Sequence, residues 1–249
     1  MDRIKEYAFN LKLPYLRENY LEEITEAEAG GKSYLEFLED VLQKENENRI
    51  NNGIKYRIRQ AKFPQRKYLE DFKLSRFSKA NRQMLERLMT LEFIKNKENV
   101  ILISNPGMGK THFATGIGIK ACMNTMKVLF VSVPNLIIEL KEAMSNHQLT
   151  QYKRKFEKYD LVILDELGYV SFDQEGNEIL FNLISNRIHN GSILITSNLA
   201  FDRWNEIFKD TVLTAAIVDR LAHKSYVIDM SGDSYRIEET IQWLKNIDI

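Results

Sequence analysis

A three-layer α/β sandwich on a five-stranded parallel sheet, preceded by a small helical domain, is the fold that this sequence of 249 residues predicts. Three observations lead there. Beyond Asn99 the chain alternates short β-rich apolar runs with helix-length segments. Before about residue 65 its apolar positions recur at three- and four-residue spacing. A glycine-rich loop joins the first apolar run to a helix, and the length, at roughly 150 residues per domain, fits a medium domain with a smaller attachment.

The helical part comes first along the chain. Ile4, Tyr7, Ala8 and Leu11, then Tyr34, Leu35, Leu38, Val41 and Leu42, follow helical spacing, with Pro14 and the Gly30-Gly31 pair as punctuation. Ser33 and Glu36 form a Ser-x-x-Glu capping pattern at the head of the second stripe. The pattern breaks at Phe63-Pro64, which places the boundary near Gln65 and divides the chain into residues 1–65 and 66–249. After a short stretch to Phe77, another helix with Leu85, Leu88, Met89 and Ile94 leads to Lys97. The expected strands are Val100–Ile103, Val128–Val133, Leu161–Leu164, Ile193–Thr196 and Tyr226–Ile228. Each is apolar without alternation, as in a sheet covered on both faces.

Composition narrows the class. With 44% hydrophobic and 28% charged residues, 11 Gly and 4 Pro, the chain is an ordinary folded one, and disordered or collagen-like states are excluded. A single cysteine, Cys122, cannot form an intrachain disulfide and points to a reducing compartment. His112, His147, His189 and His223 show no ligand-like clustering, so no zinc site is expected. No apolar run approaches the roughly 18 residues of a membrane span, and Met1 to Glu6 mixes charge signs, so a cytoplasmic protein without membrane anchor is expected. The formal net charge of zero hides an imbalance. Lys55, Arg57, Arg59, Lys62, Arg66 and Lys67 form a run without an acid, interleaved with Tyr56, Phe63 and Tyr68, after a Glu-rich stretch from Glu22 to Glu47.

The chemistry begins after the first apolar run. Ser104-Asn105-Pro106-Gly107-Met108-Gly109-Lys110-Thr111 is the phosphate-binding loop pattern with Ser104 in place of its first glycine. Glycines let successive backbone N–H groups point at phosphate oxygens, and the following helix adds the positive end of its dipole. Lys110 would neutralise the β and γ phosphates of ATP, and Thr111 would offer its hydroxyl to Mg2+. A second motif follows where the third apolar run ends in Asp165-Glu166, which places carboxylates at the carboxyl end of a strand in the same sheet. Asp165 is expected to hold Mg2+, directly or through water, and Glu166 to polarise the water that attacks the γ-phosphate. Hydrolysis needs such a base, so an ATPase is favoured over a small-molecule kinase. Asn198 ends a further apolar strand and would orient that water if the strand lies between the other two. Arg220, on a helix-like segment before the last strand, is a candidate arginine finger for a neighbouring subunit's nucleotide.

The set Asn105-Pro-Gly-Met-Gly-Lys-Thr-His112, Asp165-Glu-Leu-Gly168, Thr196-Ser-Asn198, Asp219-Arg-Leu221 and Gly232-Asp-Ser-Tyr-Arg236 resembles the IstB-like transposition helper ATPases. Those are AAA+ proteins encoded beside an insertion-sequence transposase, and the likeness spans nearly the whole chain. It implies a P-loop AAA+ core behind a helical partner-binding domain, ATP-dependent homo-oligomers on duplex DNA with ATP at subunit interfaces, and recruitment or stimulation of a partner transposase. It supports the residues from Ser104 to His112 at the nucleotide, Asp165 and Glu166 for metal and water, Asn198 as sensor and Arg220 as finger. The few residues after the last strand leave no room for a full lid, with Arg236 as a second-sensor candidate. The same motifs are similar to DnaC-type helicase loaders, which would act on a replicative helicase and single-stranded DNA. A third alternative is a switched adaptor that binds ATP with little hydrolysis. DNA phosphates could be met by the Lys55–Lys67 run or by Lys153, Arg154, Lys155 and Lys158, and without a base-reading motif such binding is expected to be sequence-independent and salt-sensitive.

Overall fold

The computed structural model describes residues 3–169, 172–188, 190–222 and 224–231. The chain divides into two compact units, Met1–Tyr56 and Arg57–Ile249. The first unit is made of α1 (Arg3–Asn10), α2 (Pro14–Gly30) and most of α3 (Tyr34–Gln60), whose last turn belongs to the second. Pro14 occupies the first turn of α2, where its missing N–H is no loss, and left-handed Gly31 ends the helix. The capping box forms as read. The Glu36 amide donates to Ser33 Oγ at 3.3 Å and the Ser33 amide to Glu36 Oε2 at 2.8 Å.

Tyr20 and Val41 are buried in this unit, and so is a polar knot. Buried Glu23 accepts from Tyr15 Oη at 2.6 Å and from Lys44 Nζ at 2.7 Å. Burial alone would raise the Glu23 carboxyl, but the hydrogen bonds from Lys44 and Tyr15 outweigh it and hold it below the ordinary range.

The second unit opens with the end of α3. Arg57 Nε donates to Cys122 O at 2.8 Å, and the Phe130 amide donates to the carbonyl of fully buried Ala61 at 2.8 Å. These bonds tie residues 57–65 to the larger unit, so the division falls between Tyr56 and Arg57, ahead of the Gln65 read from the helical pattern. A strap of two 3-10 turns, Leu69–Asp71 and Leu74–Arg76, leads to α4 (Lys79–Met89) and α5 (Glu92–Lys95). One continuous helix was expected here. Leu91 breaks it with a left-handed backbone, φ 64°, which turns this apolar side chain into the core.

The remainder alternates as β1 (Asn99–Ile103), α6 (Lys110–Met123), β2 (Val128–Ser132), α7 (Val133–Ser145), α8 (Leu149–Phe156), β3 (Leu161–Leu167), α9 (Gln174–Arg187), β4 (Ser192–Ser197), α10 (Asn205–Phe208), α11 (Thr211–Ala222) and β5 (Ser225–Asp229). All pairs are parallel, in the order β2-β3-β4-β1-β5. Both faces are covered, which is why the runs do not alternate. Ile101, Val131, Leu164 and Ile195 pack with Leu136, Leu183, Trp204 and Ile217 of α7, α9 and the α10–α11 region. Val100, Phe130, Ile163 and Leu194, pointing the other way, pack with Leu85, Phe93 and Ile117 of α4, α5 and α6.

The strap crosses α6 at its glycines. A Cβ on Gly116 would lie 2.7 Å from Leu69 Cδ2, and one on Gly118 would lie 2.6 Å from Phe63 Cε1. Only glycine lets Leu69 of the strap, and Phe63 ahead of it, reach the helix backbone. At the amino-terminal edge of the sheet, fully buried Arg187 donates to Phe156 O at 2.8 Å, Tyr159 O at 2.7 Å and Ser192 O at 3.2 Å. Burial lowers its pKa to about 10.

Candidate functional site

β3, β4 and β1 are neighbours, so their carboxyl ends meet in one cleft of about 790 Å3. The condition set for Asn198 holds, because β4 lies between the strands of the two motifs. The loop leaving β1 carries Gly107 and Gly109 at φ 87° and 90°, a region closed to most side chains. Ser104 is not among the positive-φ residues, so a serine sits there without backbone strain. Asn105 and Pro106 form an exposed tip, and Met108 is buried beneath it.

Lys110, 6% exposed, donates to Ser104 O at 2.7 Å, Ser104 Oγ at 3.0 Å and Asn105 O at 3.0 Å. The ammonium is held inside the loop, next to where phosphate oxygens would lie. Thr111 Oγ1 donates to Asp165 at 3.0 Å and 3.2 Å, joining the two motifs. Asp165 is 4% exposed, and burial raises its pKa against the pull of hydrogen bonds from Thr196 and Thr111 and of the Lys110 charge. Thr196 Oγ1 donates to Asp165 Oδ1 at 2.5 Å.

β3 runs to Leu167, longer than the Leu161–Leu164 expected, because the two acids lie within the strand as an irregularity. Leu164 pairs with Ile195 but Leu167 pairs with Ser197, leaving one residue extra on β3. Glu166 takes the strain with φ 64°, its side chain is exposed at the cleft, and its amide donates to Thr196 Oγ1 at 3.0 Å.

His112 lines the cleft, with Nε2 2.9 Å from Tyr68 O and its ring 5.5 Å from that of Phe72. Asn198 is not a lining residue. Its Oδ1 is buried without a hydrogen-bond partner, 2.7 Å from where a side chain on Gly168 would begin. Arg220 is exposed on α11 with its guanidinium 4.8 Å from the Phe181 ring centroid, and it too lies outside the cleft lining. Arg236, the rest of the Gly232–Arg236 motif, His189 and His223 lie outside the described residues, as does the segment on which the absence of a lid was read. Of the Lys55–Lys67 run, Arg57 is engaged at Cys122 O and Lys62 lies 3.3 Å from Glu139, while Lys55, Arg66 and Lys67 are exposed; in the second cluster Arg154, Lys155 and Lys158 are exposed as well.

Thr111 and Asp165 supply hard oxygen donors, the chemistry Mg2+ prefers. Among the described residues no group of three or more His, Cys, Asp and Glu could hold a metal. These two positions therefore fit an ion that arrives with phosphate and keeps much of its own hydration. Two contributors escaped the sequence reading: Thr196, whose signal was a hydroxyl at the end of an apolar run, and the strap. Phe72 of the strap lies 3.0 Å from where a Cβ on Gly109 would stand, and Lys62, Lys67 and Arg76 line the cleft.

The model of the family described as IstB-like ATP binding protein matches residues 7–242. An ATP-binding protein of insertion sequence IS5376 from Geobacillus stearothermophilus is 34% identical, over 96% of this chain and 95% of that one. Its counterpart in insertion sequence IS21 of Pseudomonas aeruginosa is 37% identical, over 91% and 84%. Among solved structures, DnaI aligns with TM-score 0.56 and 22% identity over 68% of this chain and 90% of its own. The DnaC helicase loader aligns with TM-score 0.51 and 16% identity over 63% and 94%. These likenesses show the P-loop AAA+ fold. Among the described residues no helix is long and apolar enough to cross a membrane.

Proposed function

Because the chain belongs to the IstB-like ATP-binding protein family, we propose that it is an ATP-hydrolysing helper of transposition, which oligomerises on duplex DNA and recruits or stimulates a partner transposase. The observation that carries hydrolysis is the joining of Thr111, Asp165 and Glu166 at the mouth of a glycine loop. Loop amides and the α6 amino terminus bind the phosphates. Lys110 leaves the Ser104 and Asn105 carbonyls to neutralise them. Thr111 and Asp165 would hold Mg2+, which would screen the phosphate charge when bound. Glu166 takes the proton of the attacking water, so that ATP and water leave as ADP and phosphate. Asn198, whose unpaired Oδ1 is buried beside Gly168 at the end of β4, would orient that water once its side chain turns into the cleft, and Arg220, outside its own cleft lining, serves a neighbour's nucleotide in the oligomer.

DNA binding rests on exposed basic positions such as Arg154, Lys155 and Lys158 and is expected to weaken steeply with salt. The test is ATP turnover without DNA, with duplex and with single strands, together with sedimentation in ATP. Duplex-stimulated turnover with large ATP-dependent complexes is expected. Lys110→Ala should abolish both, and Glu166→Gln should bind ATP and assemble while turnover falls at least about 100-fold. A preference for single strands would move the assignment to a helicase loader, and absence of turnover to a switched adaptor. Equal turnover by wild type and Glu166→Gln would remove Glu166 from its role.

A further inference from the structure

The backbone at Glu166 needs an explanation that the ATPase reading alone does not supply. A non-glycine residue at φ 64° is uncommon, and in the interior of a parallel strand it breaks the ladder. The amide of Glu166 finds its partner in the hydroxyl of Thr196, 3.0 Å away on the adjacent strand. That hydroxyl has one proton, which goes to Asp165 Oδ1 at 2.5 Å. Thr196 is 1% exposed, so both bonds lie almost wholly out of solvent at the floor of the cleft. A single buried oxygen thus accepts from the residue that presents the base and donates to the residue that would hold the ion. The irregularity between Leu164 and Leu167 is where the two meet.

We propose that Thr196 is a positioning residue: its hydroxyl clamps the Asp165–Glu166 peptide in the bulged, left-handed form that carries the Glu166 carboxylate into the cleft. This rests on Glu166 as the base. Valine at 196 matches threonine in shape and lacks both hydrogen bonds. The Glu166 amide then keeps only the neighbouring Asp165 carboxylate, itself freed from Thr196, and Glu166 is released into several orientations. Serine keeps the hydroxyl and restores the clamp.

The test compares Thr196→Val, Thr196→Ser, Glu166→Gln and wild type by two readouts. The first is steady-state turnover beside the affinity for a fluorescent ATP analogue without metal. The second, independent of activity, is hydrogen exchange of the Glu166 amide by NMR. For Thr196→Val the expectation is a kcat at least about tenfold lower, analogue affinity within about twofold of wild type, and faster exchange at Glu166. Thr196→Ser should recover most of the turnover and the protection. Unchanged exchange and unchanged kcat in Thr196→Val, with Glu166→Gln inactive, would overturn the clamp and leave the ATPase standing. Faster exchange in Thr196→Val with a wild type that does not hydrolyse ATP would keep the clamp and remove the ATPase. A Thr196→Ser variant no better than Thr196→Val would overturn the role of the hydroxyl.

Discussion

Ser104 shows how one residue can change the surroundings of a phosphate-loop lysine. Its hydroxyl accepts from Lys110 beside its own carbonyl, and glycine would offer only the carbonyl. Ser104→Gly removes a hydrogen bond to a charged group that must break on binding, a term of about 1 kcal/mol. We expect ATP affinity to rise up to about fivefold, measured by titration with the fluorescent analogue. Arg187 is the opposite case, a charge spent on structure. Arg187→Met leaves the carbonyls of Phe156, Tyr159 and Ser192 without this donor inside the protein, at about 2–4 kcal/mol. A urea titration should show that loss with ATP affinity unchanged, since the cluster lies at the sheet edge away from the cleft. The placement of Lys110, Thr111, Asp165 and Glu166 at one cleft was open to reading because each is fixed by spacing within a short motif. That of Thr196 and Phe72 was not, because each depends on a partner from a distant segment, and pairing across strands leaves no local trace.

Whole elements repeat that contrast. The five strands were legible as apolar runs because a sheet buried on both faces admits nothing else, yet the end of β3 was not. A polar pair read as the end of the strand is in fact inside it, and periodicity cannot register a bulge. The strap was read as a mere interval, although it fills the glycine positions of α6. Gly118→Val would drive side-chain atoms into Phe63 and Ile163, and should destabilise the second unit by about 1–3 kcal/mol in thermal or urea unfolding. In the first unit the α2–α3 pair depends on pH through Glu23. Its folded pKa lies below the ordinary 4.5, so the bonds to Lys44 and Tyr15 add stability above that value and lose it as pH falls through the lowered one. Glu23→Gln should therefore show a smaller drop in melting temperature on acidification than wild type, and a lower melting temperature at neutral pH.

At the scale of the whole molecule, the order β2-β3-β4-β1-β5 brings three motifs, dispersed over about a hundred residues, to one edge. The depth of the chain at which each motif occurs was evident beforehand; the adjacency of β4 to both others was a condition that only the sheet could meet. The same order also has a history, written in the sequence of synthesis. β3 and β4 can each pair with the strand made just before it, and β2 pairs only with the one made after it. β1, the first strand to leave the ribosome, sits between the two made last, so Val100 waits for Leu194 on one side and Tyr226 on the other. Until β4 is made, the strand that carries the phosphate loop has no partner in the sheet. The grip on nucleotide therefore comes late in synthesis, and a chain cut short before β4 would carry its phosphate loop on an unpaired strand.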